Sequence, residues 1–313
     1  MLDKQLMAVL APAREANLPD LADLPPPACR DLYRHILAAA DRAPADVTVA
    51  DTLLPVADGA QTIPLRIYTP RAAGPHAVVA YFHGGGYVAG DLDGYDAVCR
   101  QLCEDSEAVV VSVGYRKAPE HPFPAAVDDA WAAVQWVARQ ARELGADPAR
   151  LGVAGDSAGA VLATVTALLA RDTGGPHIGF QALVYPPAAG GHGGDYPSRT
   201  IHGSGPTLTR RTMDYFCQHY FGPSGRAPDF RGAPLRSHDL SRLPPALLLL
   251  AAHDPLRDEA LAYGEALMAA GNDVSIVEYH GLAHGFISMA GRVEAARLAQ
   301  LQMAQALKAG LRR

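Results

Sequence analysis

Leu151-Gly152-Val153-Ala154-Gly155-Asp156-Ser157-Ala158-Gly159-Ala160 is the stretch that decides the fold. Leu151 to Ala154 is a short apolar run of the kind that forms a strand buried on both faces, and Ala160 to Arg171 is rich in helix formers. Between them, Gly155 and Gly159 bracket Ser157. Glycine has no Cβ, so the chain can turn sharply here. The serine hydroxyl then projects above the sheet while the free N–H groups that open the helix point toward the same spot. A strand, a tight turn carrying serine and a helix make a nucleophile elbow, which suits acyl transfer.

A chain with 30 glycines can produce Gly-x-Ser-x-Gly by accident, so a second motif carries weight. His83-Gly84-Gly85-Gly86 follows the apolar run Ala77 to Phe82. Three successive glycines leave the N–H groups of Gly84, Gly85 and Gly86 unobstructed. Such donors stabilise the negative charge of a tetrahedral intermediate, each by about 3 kcal/mol of barrier height.

Working outward, 313 residues suit one large α/β domain with insertions. Hydrophobic residues at 49% and charged residues at 19% describe a chain with a substantial core, which excludes a disordered protein. A net charge of -6 without a basic patch argues against nucleic acid as partner. Cys29, Cys99, Cys103 and Cys217 lack both metal-ligand spacing and disulfide density, and read as structural thiols. Lys4 and the apolar Leu6 to Ala13 faintly suggest a signal peptide, but the run is short and Asp3 stands where a basic residue belongs, so an amphipathic helix is expected. No run approaches the roughly 18 residues that would read as a membrane span, and the expected location is cytoplasmic.

Residues 1–45 are helical in pattern and precede the first strand. Asp46 to Leu54 and Thr62 to Tyr68, separated by Asp58-Gly59, read as an antiparallel hairpin. Six further strands are expected at Ala77–Phe82, Ala108–Val113, Leu151–Ala154, Gln181–Tyr185, Ala246–Ala252 and Val274–Tyr279. Their near-continuous apolar character predicts a mostly parallel sheet with helices on both faces. One of these helices should start at Pro124 as N1 residue and end at Gly145. Residues 188–241 break the alternation and look helical only from Thr209 to Tyr220. The expected organisation is therefore a core of residues 46–187 and 242–313 beneath a helical cap made from residues 1–45 and the 188–241 insertion.

An acid and a histidine that serve such an elbow follow it in that order. His280 and His284 are the last histidines, and His284 is the better placed, since Gly281 and Gly285 mark a loop around it while His280 abuts a strand. Among the carboxylates between Ser157 and His284, Asp254 comes directly beyond a strand, at the catalytic edge of the sheet. Asp258 and Glu259 follow in the next helix, where they complement its dipole.

These residues resemble the hormone-sensitive-lipase-like carboxylesterases, the bacterial family IV esterases of the α/β-hydrolase superfamily. The resemblance runs through His83 to Gly86, Tyr115 to Ala126, Gly155 to Gly159, Asp254 to Glu259 and His284-Gly285-Phe286 in the family's order. It implies an α/β-hydrolase fold with Ser157 as nucleophile, His284 as base and Asp254 as its orienting acid, and an oxyanion hole that adds Ala158 to the glycine loop. It also implies a small-molecule ester as substrate, and no metal or cofactor. His83 and the Tyr115–Ala126 segment would brace the site. Lys117, where the family usually has leucine, and the glycines at 190–194 and 203–205 depart from the pattern. An amidase or formamidase with the same triad is the alternative chemistry, and a small-ligand receptor on the same fold the non-catalytic one. Val274 to Tyr279 would be an edge along which two copies could pair.

Overall fold

Successive residues of a strand face opposite ways, and this alternation builds two cores on the two sides of one sheet. Along His76–Phe82, where every residue is buried, Val78, Ala80 and Phe82 enter one core and Val79 and Tyr81 the other. The computed structural model describes residues 1–312, the side chain of Asp58 apart. Helices α1 (Lys4–Glu15) and α2 (Pro26–Ala39) lead into strands β1 (Thr48–Val56), β2 (Gln61–Thr69) and β3 (His76–Phe82). Then follow α3 (Asp96–Ser106), β4 (Val109–Val113), α4 (Ala125–Gln140), β5 (Ala146–Asp156), α5 (Ala158–Thr173) and β6 (Phe180–Val184). The chain continues through α6 (Pro197–Ile201), α7 (Arg210–Phe221), β7 (Ala246–His253), α8 (Arg257–Ala269), β8 (Val274–Ala283) and α9 (Glu294–Gly310).

The eight strands form one sheet in the order β1-β2-β4-β3-β5-β6-β7-β8. Only the β1/β2 and β2/β4 pairs are antiparallel. Residues of α4, α5 and α8 (Val134, Leu162, Tyr263) pack in one core, and those of α3 and α9 (Leu102, Ala299) in the other. After β3 the chain moves to the β4 side, whereas after β5 it moves to the β6 side. That reversal opens a crevice at the carboxyl ends of the two neighbouring strands, the place where open α/β sheets bind ligands.

Three elements depart from the sequence reading by more than two residues. α4 stops at Gln140, short of Gly145, and residues 141–145 form turns; Pro124 is its N-cap residue and not N1. β5 begins at Ala146, because its first residues pair with His76 of β3. β8 runs on to Ala283 through His280 and Gly281, since residues up to there keep pairing with β7. The hairpin turn lies where expected, with Gly59 at φ 83°.

The amphipathic α1 forms, with Asp3 capping it by accepting from the N–H groups of Gln5 and Leu6 and with Leu6 buried. Among the described residues no helix is long and apolar enough to cross a membrane. In the 188–241 segment α7 forms nearly as expected, its Thr209 hydroxyl accepting from Thr212 N–H, and the short α6 is added to it. The segment meets the N-terminal residues through side chains. The Thr209 and Thr212 hydroxyls donate to Asp20 at 2.9 and 2.8 Å, the Tyr215 hydroxyl donates to the Leu24 carbonyl at 3.0 Å, and Arg211 pairs with Asp23.

Candidate active site

β5 delivers Ser157 on a backbone that only a tight fit can hold. Its φ of 52° and ψ of -120° lie in a region that costs a side-chain-bearing residue about 1–3 kcal/mol. The Ser157 N–H donates to the Val184 carbonyl at 2.8 Å, which ties the elbow to β6. Gly155 and Gly159 allow the close approach of α5 to the sheet. A Cβ on Gly159 would collide with the Phe82 carbonyl, and one on Gly155 would lie 2.6 Å from the same oxygen.

Two other strand ends bring partners to the hydroxyl. Asp254 directly follows β7, and His284 directly follows β8. His284 Nε2 lies 3.0 Å from Ser157 Oγ, and its Nδ1 lies 2.7 Å from Asp254 Oδ2. The other carboxylate oxygen of Asp254 accepts from Leu256 N–H at 2.8 Å. With Asp254 fully buried and the His284 side chain 11% exposed, a proton on Nδ1 satisfies the carboxylate and leaves the Nε2 lone pair facing the serine. His280, by contrast, is 87% exposed, with its Nδ1 3.6 Å from Glu278 Oε1.

The glycine loop after β3 lies beside the elbow. Gly85 (φ 117°) and Gly86 (φ 61°) adopt backbone conformations that favour glycine, and a Cβ on Gly86 would enter the Phe216 ring. Both line the same cavity as Ser157, Ala158 and His284, and Ala158 opens α5, where an amide has no acceptor within the helix. Gly84 corrects the sequence reading. Its N–H donates to Asp156 Oδ1 at 2.8 Å and so is committed to holding the loop.

Asp156 is thus a hub that the sequence did not disclose. Besides Gly84, it accepts from the hydroxyls of Tyr81 at 3.0 Å, Tyr95 at 3.0 Å and Tyr185 at 3.4 Å. Burial pushes its carboxyl up to about 6 against the pull of these donors. Its place inside the elbow was a signal, since a buried carboxylate needs donors, but nothing in the sequence pointed to three tyrosines. Tyr185 also packs against the imidazole of His284, with ring centroids 4.4 Å apart.

His83 is fully buried, stacks on Tyr115 with centroids 4.4 Å apart, and is held neutral by burial, which pulls it down to about 3. The Tyr115 hydroxyl donates to the His83 carbonyl at 2.8 Å and Lys117 Nζ donates to the Gly90 carbonyl at 2.6 Å, so this segment braces the glycine loop from outside. The cavity above Ser157 measures about 670 Å³, and Leu21, Leu208, Met213, Phe216 and Leu256 give it apolar walls.

Residues 79–288 match the family described as the alpha/beta hydrolase fold. The chain belongs to this family. It is 47% identical to Esterase LipI of Mycobacterium tuberculosis over 235 residues, covering 74% of this chain and 73% of that protein. With the ethyl acetate hydrolase of Pseudomonas putida it shares 37% identity over 266 residues, 83% of this chain and 82% of the other. The solved structure of a hyperthermophilic esterase from the archaeon Pyrobaculum calidifontis superposes with a TM-score of 0.90 at 39% identity, over 98% of each chain. Within the α/β-hydrolase superfamily these likenesses assign the chain to the hormone-sensitive-lipase-like carboxylesterases.

Proposed function

We propose that this carboxylic-ester hydrolase cleaves short- to medium-chain acyl esters with Ser157 as nucleophile, His284 as general base and Asp254 as the group that orients it. The observation that carries the reading is the hydrogen-bonded line from Asp254 through His284 to Ser157 at the floor of an apolar cavity. His284 Nε2 takes the hydroxyl proton as Ser157 Oγ attacks the ester carbonyl. The N–H groups of Gly85, Gly86 and Ala158 stabilise the oxyanion, and His284 hands its proton to the departing alcohol. Asp254 stabilises the imidazolium between these steps. His284 then activates water to release the acyl group from Ser157. The names of the similar proteins, an esterase and an ethyl acetate hydrolase, support ester chemistry on small substrates. In this reading residues 1–45 and 188–241 form the cap that selects the substrate, and residues 46–187 and 242–313 the core that performs the chemistry.

Hydrolysis of p-nitrophenyl butyrate by the wild type and by Ser157→Ala, with folding of both followed by circular dichroism, tests the proposal. The folded variant is expected to lose at least about 10³-fold in kcat. Activity that survives in the folded variant would refute Ser157 as nucleophile. Across an acyl series, turnover should fall off beyond about ten carbons, since a cavity of this size belongs to the small-ligand class. Preference for long-chain triglycerides over butyrate would overturn that part, and hydrolysis of a matched amide without the ester would move the chain to the amidases.

A further inference from the structure

One wall of the otherwise apolar cavity carries Arg199, from α6 of the cap, and Glu259, from the first turn of α8. The two form an ion pair between Arg199 Nη2 and a carboxylate oxygen whose side chain is fully buried, with the Arg199 side chain 13% exposed. Burying two charges is costly, and an apolar pair of similar volume would hold two helices together at least as well. The docking of α6 on α8 also has other means. Ser198 donates from its N–H to Asp258 Oδ2 and from its hydroxyl to the Pro255 carbonyl, both at 2.8 Å.

The pair uses only part of its hydrogen-bonding capacity. Arg199 Nε and Glu259 Oε1 are buried and have no partner among the described residues, and the same holds for Thr207 Oγ1 on the same cavity. Burial pushes the Glu259 carboxyl up to about 7 against the pull of Arg199 and of the Ala189 N–H. An N–H donor and a carboxylate acceptor on one wall match a group that both accepts and donates. A hydroxyl is the simplest such group.

We propose that Arg199 and Glu259 form a hydroxyl-recognising subsite, so that the preferred esters carry a hydroxyl, on the acyl chain or on the alcohol, that accepts from Arg199 Nε and donates to Glu259 Oε1. The proposal rests on the esterase reading given above. It differs from a merely structural role for the pair, because a loosened cap would slow plain and hydroxylated esters alike.

The test compares kcat/KM within matched pairs. For the acyl side the pairs are the p-nitrophenyl esters of butyrate and β-hydroxybutyrate, and of hexanoate and ω-hydroxyhexanoate. For the alcohol side the pair is propyl butyrate and glycerol monobutyrate. The wild type should favour the hydroxylated member of at least one pair by about tenfold or more, and the side on which it does so identifies the source of the hydroxyl. The double variant Arg199→Met/Glu259→Leu, which leaves no unpaired charge, should lose that preference. Where it fails to fold, Arg199→Lys, which keeps the charge but has no Nε donor at that position, should lower the ratio as well. Equal turnover within every pair by the wild type, or a preference that persists in a folded variant, would overturn the subsite while leaving the esterase reading intact. A folded wild type that turns over neither member of any pair would bring down the esterase reading, and the subsite with it.

Discussion

The two walls of the cavity are held by different kinds of force. The core wall, from His83 to Gly90 and from Gly155 to Ala158, is fixed by the backbone and by contacts that leave no room for a methyl group. Ser157 N–H reaches the Val184 carbonyl, Gly84 N–H reaches Asp156, and α5 touches the Phe82 carbonyl at Gly159. The opposite wall, from the 188–241 segment, is joined to the N-terminal residues and to α8 by side chains: Thr209 and Thr212 on Asp20, Arg211 on Asp23, and Arg199 on Glu259. Backbone contacts of the first kind tolerate no displacement, because each is an obligatory pairing or a hard steric limit. Side-chain contacts are worth about 1 kcal/mol each and can be exchanged singly. On the function proposed above, this puts a rigid catalytic floor under an adjustable roof and separates the rate of the chemistry from the choice of substrate.

Substitutions in the two walls should therefore give different signatures. The largest effect on stability is expected from Gly159→Ala, whose Cβ meets a backbone oxygen that cannot turn aside. Overpacking of this kind costs about 1–3 kcal/mol, and thermal unfolding should show a lowered Tm with activity falling alongside. An unchanged Tm would mean that the elbow has more freedom than the contact with Phe82 allows.

Asp156→Asn should act on rate. It weakens the anchor of Gly84 and with it the aim of the Gly85 and Gly86 amides, so kcat is expected to drop about tenfold or more with KM nearly unchanged. The same variant carries a signature in pH. Because burial raises the folded-state value of Asp156 to about 6, from the ordinary aspartate value of 3.8, the native state keeps a proton that the unfolded chain has released between those values. Wild-type stability is thus eroded as pH rises through that window, by about 2 kcal/mol or more. Asparagine does not titrate, so the stability of Asp156→Asn relative to wild type should improve from pH 4 to pH 7 by about that amount. Urea unfolding at the two pH values measures it, and a difference that does not move with pH would show that the tyrosine donors outweigh burial.

A cap substitution should reverse the pattern. Asp20→Ala removes the acceptor shared by Thr209 and Thr212 and is expected to cost about 1–2 kcal/mol. KM for p-nitrophenyl butyrate should rise and proteolysis between residues 188 and 241 should accelerate, with kcat at saturation little altered. A fall in kcat equal to that of Asp156→Asn would erase the distinction between the walls. The smallest effect is expected from Arg71→Ala, away from both. Its pair with Asp46 at 2.8 Å is exposed on both partners, and such surface pairs contribute less than about 1 kcal/mol.

The same difference explains what could be read before any coordinates. The elbow, the glycine loop, the eight strands and the line Ser157, Asp254, His284 were legible, because each rests on local rules: apolar runs for buried strands, glycine where the backbone must turn or be approached, and strand ends for the residues of the site. The expected loop from Gly281 was wrong, since the pairing of β8 with β7 outlasts the apolar run that announced it. Gly84 was misread as an oxyanion donor because a glycine's amide looks alike in sequence whether it is free or bound by a distant carboxylate.

By itself, then, the sequence determined the order of strands and helices, the position of the serine turn and the residues that stand at the ends of β7 and β8. These follow from periodicity and backbone sterics, which act between near neighbours in the chain. Only the tertiary structure decided which amides remain available beside Ser157, that Tyr81, Tyr95 and Tyr185 gather on Asp156, and that Arg199 meets Glu259 on the cavity wall. Those pairings join residues far apart in sequence, and burial, which exists only once the chain is folded, gives them their strength.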